Sequence, residues 1–103
     1  ITDEDLNDKK NRKINFYYKL FSDSKIPNPS NNNWNDWIKN LTNTQPNQLK
    51  GNEKICFINK KINYGTKSSS LISLPNKKIN NKNIVFKSTN SFPTIDSYID
   101  IIF

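Results

Sequence analysis

The sequence predicts an α+β fold, two helical segments followed by three or four antiparallel strands, and three observations carry that reading. Trp34, Trp37, Ile38 and Leu41 recur at i, i+3, i+4 and i+7, the spacing that sets four side chains on one helix face. Beyond Pro46 and Gly51 the period changes to two, with Ser70, Ile72 and Leu74 alternating against Ser69, Leu71 and Ser73. Six Phe, four Tyr and two Trp supply a small aromatic core, although only 33% of the 103 side chains are hydrophobic.

Residues 1–8 end in acidic and Asn side chains suited to a turn. Residues 13–21 carry Ile14, Phe16, Tyr17, Tyr18, Leu20 and Phe21, an aromatic run that reads as helix rather than strand. Pro27 and Pro29 then impose an extended connector, because each fixes its own φ and disfavours helix in the residue before it. Ser30 is the expected N-cap of the helix bearing Trp34 and Trp37, whose polar face is Asn32, Asn35, Asp36, Lys39 and Asn40. Three or four strands are expected after it, from four candidate stretches. The first, 54–59, is a buried apolar run through Ile55, Cys56, Phe57 and Ile58. The second is the alternating stretch 67–74. Strand 83–87 sets Ile84 and Phe86 on one side, and strand 97–103 groups Ile99, Ile101 and Phe103.

The formal charge of +7 raises nucleic acid as a partner. Fifteen of the sixteen basic residues are Lys, however, and only Arg12 supplies the fork preferred for phosphate and guanine. Asn and Ile are abundant too, so the charge reads as a compositionally biased, solvated surface, and no nucleic-acid partner is expected. The chain lacks His, which removes the commonest general base and metal ligand. One Cys permits no internal disulfide and points to a cytoplasmic location, with Cys56 a buried small hydrophobe. Asp3, Glu4, Asp5 and Asp8 lack the glycine and final Glu of a calcium loop, so a solvated turn is expected and no metal. No apolar run approaches the roughly 20 residues of a membrane span. No catalytic residue and no cofactor is expected within this chain. The remaining feature is Tyr64 to Pro75, where Gly65 permits a close backbone approach and three successive serines follow Lys67. Their hydroxyls face both sides of a strand, either lining a cleft or satisfying neighbouring backbone.

The chain contains no Met and begins at Ile1, so it reads as the C-terminal part of one longer domain. Three stretches, Ile1 to Asp8, Ile26-Pro27-Asn28-Pro29 with Trp34-Asn35-Asp36-Trp37, and Tyr64 to Pro75, stand in a specific order. That order resembles the C-terminal part of bacterial-type members of the NRDE family, the transport and Golgi organisation family. The resemblance implies an αββα sandwich like the N-terminal-nucleophile hydrolases. It also implies a cysteine nucleophile and an Asn-Arg-Asp-Glu motif in a preceding half. Cys56 matches no position of that nucleophile. Thr66, Ser68 and Ser69 match the strand that would border the substrate site, while Lys67 stands where eukaryotic relatives carry Arg. The implied function is an amidohydrolase-like enzyme acting on a small acylated or amide substrate. One alternative is a carrier or chaperone of a hydrophobic ligand such as haem on the same fold; another is an unrelated nucleic-acid-binding module. In either NRDE reading the chain packs against the preceding half, and without it should expose apolar strand and helix faces.

Overall fold

The computed structural model describes residues 11–46, 48–75 and 84–102. The expectations for residues 1–8 and for Phe103 lie outside that range. Helix α1 (Arg12–Asp23) begins where the Asn11 side chain accepts a hydrogen bond from the Ile14 N–H at 3.0 Å, satisfying one of the orphan donors of the first turn. It ends where Ser24 Oγ donates to the Leu20 carbonyl at 2.6 Å. The helical period sorts the aromatic run. Ile14 and Tyr17 are buried, whereas Tyr18 is exposed. Tyr17 meets Phe16 edge-on at 5.0 Å, an arrangement that sets a ring edge against a ring face.

The two prolines do not lead straight into the next helix. Asn28 and Asn33 pair as an isolated antiparallel bridge, with N–H to carbonyl distances of 2.8 and 2.9 Å. Between them lies a 3₁₀ turn, Pro29–Asn31, closed by Asn32 in the left-handed region at φ 54°. Ser30 is therefore inside this turn and does not cap the helix. Helix α2 (Asn35–Thr42) starts five residues after Ser30, and the side chain that reaches its first N–H is Asn33, at 3.3 Å. The apolar face is as the spacing predicts, with Trp34 buried and Trp37, Ile38 and Leu41 partly covered. Phe21 packs edge-on against Trp37 at 5.3 Å, and Asn40 Nδ2 donates to Ser24 Oγ at 2.7 Å, so α2 leans on the end of α1.

Residues 54–56 form bends, and the predicted strand 54–59 shrinks to β1 (Ile58–Asn59). Cys56 is thus buried in an irregular segment and not in mid-strand. β1 pairs antiparallel with β2 (Tyr64–Gly65) through a four-residue loop in which Asn63 adopts φ 51°. A second antiparallel sheet has the order β3 (Ser70–Ser73), β4 (Val85–Ser88), β5 (Ile99–Asp100). The fold is therefore mixed α+β, two helices and then antiparallel strands in two small sheets. The alternation predicted for β3 holds, since Leu71 is buried and Ser70 and Ile72 are exposed. β4 departs from prediction. Ile84 precedes it and is exposed, whereas Lys87 is buried. Lys87 faces Leu71 on one neighbour and Asp100 on the other, and its ammonium meets the Asp100 carboxylate at 2.6 Å.

Gly65 sits at a close approach of two backbone segments. A Cβ at that position would lie 2.5 Å from the Phe57 carbonyl oxygen and 2.8 Å from Ile58 Cα, both backbone atoms that cannot swing aside. Gly65→Ala is expected to destabilise the fold by about 1–3 kcal/mol, the range for forcing atoms into filled space. A urea midpoint equal to that of the parent chain would refute this close approach. Asp100→Ala strands the buried Lys87 ammonium and is expected to cost about 1–3 kcal/mol. Lys87→Met should restore much of that loss in the Asp100→Ala background; thermal unfolding of the two variants measures it.

Candidate functional site

The Tyr64 to Pro75 stretch begins with two anchored residues. Thr66 donates its N–H to the Phe57 carbonyl at 2.9 Å. Its hydroxyl donates to the Ile55 carbonyl at 2.9 Å and accepts from the Phe57 N–H at 3.2 Å. Ser69 is bound to β4 and to the segment before β5. Its N–H donates to Thr89 Oγ1 at 2.9 Å, its carbonyl accepts from the Thr89 N–H at 3.0 Å, and its hydroxyl accepts from the Tyr98 hydroxyl at 2.7 Å. Ser70 and Ser88 hydroxyls meet across the sheet at 3.0 Å. Ser68 is exposed. The hydroxyls of Thr66 and Ser69 thus hold backbone and sheet together, while Ser68 lies exposed between them.

Cys56 lies behind this stretch, fully buried, with its Sγ 3.8 Å from the Pro93 carbonyl. Burial pushes the thiol above its ordinary value of 9.0. The Tyr17 hydroxyl is likewise held above 10.0 by burial, a shift partly offset by its hydrogen bond from the Ile55 N–H and reinforced by the neighbouring Cys56. Tyr98 is also raised above 10.0, first by burial, against the opposing pull of its hydrogen bond to Ser69. Tyr17 and Tyr98 both feel the buried Cys56, so the three desolvated groups act on one another electrostatically. A thiol in such a place is a poor nucleophile, because the thiolate is the reactive form.

The concave feature beside this core is an apolar groove of about 610 Å³. Tyr17 and Phe21 of α1 form one side, Trp37 and Leu41 of α2 another, and Ile55 with Leu71 of β3 the floor. The sequence spacing puts Trp37 and Leu41 on the apolar face of their helix and Leu71 on one of two strand faces, but helix and strand periods fix faces and not which faces meet, so the shared groove is not legible from them. The indole N–H groups of Trp34 and Trp37 are buried and have no hydrogen-bond partner among the described residues.

Among the described residues there is no group of three or more His, Cys, Asp or Glu that could hold a metal ion. None of the described helices is long and apolar enough to cross a membrane. Comparison with known protein families, with characterised proteins and with solved structures finds no match to this chain.

The buried hydroxyls and thiol set a pH dependence. Each is more easily deprotonated in the unfolded chain, so its contribution to stability is whole at neutral pH and is lost as pH rises past the unfolded value towards the raised folded one. The urea midpoint should stay flat near neutrality and begin to fall above the ordinary thiol value of 9.0. Cys56→Ala should move that onset up towards the ordinary tyrosine value of 10.0. An onset unchanged by the substitution would mean that Cys56 does not set it.

Proposed function

We propose that this chain is the scaffold part of an NRDE-family protein with amidohydrolase-like chemistry, acting on a small acylated or amide substrate. The observation that best supports the reading is a convergence. Trp37, from the second family-like stretch, and Ser70 with Leu71, from the third, wall the same apolar groove. In an αββα sandwich such a face, together with exposed Tyr18, Ile72 and Leu74, would pack against the preceding half of the domain or hold the apolar part of a substrate. The strand from Thr66 to Ser69 would border the reaction site. Thr66 and Ser69 are then positioning residues, since their hydroxyls are engaged, and Ser68 is the hydroxyl open to substrate.

The nucleophile in this reading is an N-terminal cysteine outside these residues. Its α-amino group would take the thiol proton as sulfur attacks the amide carbonyl, and the leaving amine would carry that proton away. Water then releases the acyl group from the thioester. The groove also favours a second reading on the same fold, a carrier of a hydrophobic ligand such as haem.

The test uses the full-length protein that contains this chain. Its N-terminal residue is identified, that residue is replaced by Ala if it is Cys, and hydrolysis of a panel of N-acyl amides is measured beside binding of a hydrophobic dye. The expected outcome is turnover lost by at least about a thousandfold, the scale of removing a covalent nucleophile, with dye binding kept. A protein that starts with another residue, or one whose turnover survives the change, refutes the hydrolase reading. Dye binding without any turnover in the parent protein would favour the carrier.

A further inference from the structure

A second groove, of about 1120 Å³, opens beside the β1–β2 hairpin. Lys54, Lys60 and Lys61 line it together with Phe57, Tyr64 and Phe92, and no carboxylate lies on its wall. The hairpin register explains the aromatic part. Asn59 pairs with Tyr64, and Phe57 lies two residues before Asn59, so Phe57 and Tyr64 share a face of the hairpin. Their ring centroids are 5.8 Å apart at 60°, and Tyr64 is 61% exposed. The ion pairs among the described residues join Arg12 to Glu53 and Lys87 to Asp100, which leaves the three groove lysines without a carboxylate.

We propose that this groove binds single-stranded nucleic acid. Unpaired bases offer faces that stack on exposed rings, and their phosphates pair with lysines that no carboxylate among the described residues neutralises. A duplex hides its base faces, and stacked pairs have nothing to place against Tyr64. The shortage of Arg argues against reading base edges, but lysine point charges suffice to track a backbone without sequence preference. An anionic membrane fits the same charge less well. Phe57 and Phe92 are half-buried on a concave wall that a flat lipid surface cannot enter, whereas Ile62, at the hairpin tip, lies outside the wall and is 68% exposed. The proposal stands apart from the hydrolase reading, since it uses a different groove and different residues.

The test titrates the full chain against a fluorescein-labelled uridine oligonucleotide of about 12 nucleotides, within the site sizes of single-strand binders, over a range of KCl concentrations. Three lysine–phosphate contacts predict a slope of log affinity on log salt of about −2, at roughly 0.7 per contact for a single strand. Lys60→Ala with Lys61→Ala should flatten that slope by about 1.4. Tyr64→Ala should weaken binding about tenfold and leave the slope in place, while Tyr64→Trp keeps the affinity. Lys19→Ala with Lys39→Ala removes the same charge from exposed sites on α1 and α2 and should change nothing. The proposal is overturned if that control pair weakens binding as much as the groove pair, or if Tyr64→Ala binds like the parent. It also fails if no binding is seen at about 50 mM salt, where phosphate contacts are strong. Binding to phosphatidylserine vesicles that is lost in Ile62→Ser, with no oligonucleotide binding, overturns it in favour of a membrane. Thermal midpoints of the lysine and Ile62 variants should match the parent, because those side chains are exposed, and Tyr64→Trp, which keeps a ring against Phe57, separates lost stacking from the small destabilisation expected of Tyr64→Ala.

Discussion

Ile55 has both of its backbone polar groups bonded to side chains from distant parts of the chain, and the surrounding structure is organised by that fact. Its N–H donates to the Tyr17 hydroxyl and its carbonyl accepts from the Thr66 hydroxyl, each at 2.9 Å. Residues 54–56 lie outside any strand, so no ladder can satisfy their backbone, and unpaired buried groups are costly. Phe57 completes the knot by exchanging hydrogen bonds with Thr66 in both directions. Cys56, between them, fills the space beside Pro93. One short irregular segment thereby joins α1, the β1–β2 hairpin and the segment leading to β5. Each such bond contributes only about 0.5–1.5 kcal/mol, yet losing a partner leaves a buried group unmet at about 1–3 kcal/mol.

The same knot explains why Gly65 is glycine and why Thr66 follows it. Thr66 can reach both Ile55 and Phe57 only if β2 runs almost in contact with β1, and the Phe57 carbonyl and Ile58 Cα then occupy the place of a side chain at Gly65. Ser69, three residues on, repeats the logic with the other sheet. Its hydroxyl holds Tyr98, and its backbone holds Thr89. The serine-rich strand is therefore a seam between two small sheets as much as a surface.

The parts of this arrangement that follow short-range rules were legible in the sequence. The i, i+3, i+4, i+7 spacing placed Trp34, Trp37, Ile38 and Leu41 on the inner face of α2, and the alternation around Leu71 placed β3. The close approach at Gly65 was also readable from its Tyr-Gly step. Ser30 misled because a local N-cap signal competes with Asn28 and Asn33, whose mutual bridge needs residues 29–31 for its own turn. The strand expected at 54–59 failed because Tyr17, 38 residues from Ile55, satisfies a backbone group that a ladder would otherwise have claimed. Lys87 was hidden by its type. A lysine in a strand reads as solvent-facing, and only the register that puts it opposite Asp100 makes its burial tolerable. The hydroxyls of Thr66 and Ser69 were visible as a pattern, but their partners lie up to 29 residues away and no local rule chooses between a cleft and a seam.

Two grooves flank the Ile55–Phe57 segment, and its residues divide between them. Ile55 stands in the apolar groove with Trp37 and Leu71, and Phe57 stands in the lysine-rich groove with Tyr64. A change within the segment, or at Tyr17 or Thr66, disturbs both walls at once and cannot assign a role to either. Side chains at the rims act differently. Lys60, Lys61 and Tyr64 touch one groove and Tyr18 the other, and all four are exposed, so their replacement alters a surface and leaves the knot intact. The polar character of one groove and the apolar character of the other can therefore be separated experimentally, even though a single pair of side chains, Tyr17 and Thr66, holds the backbone that both are built on.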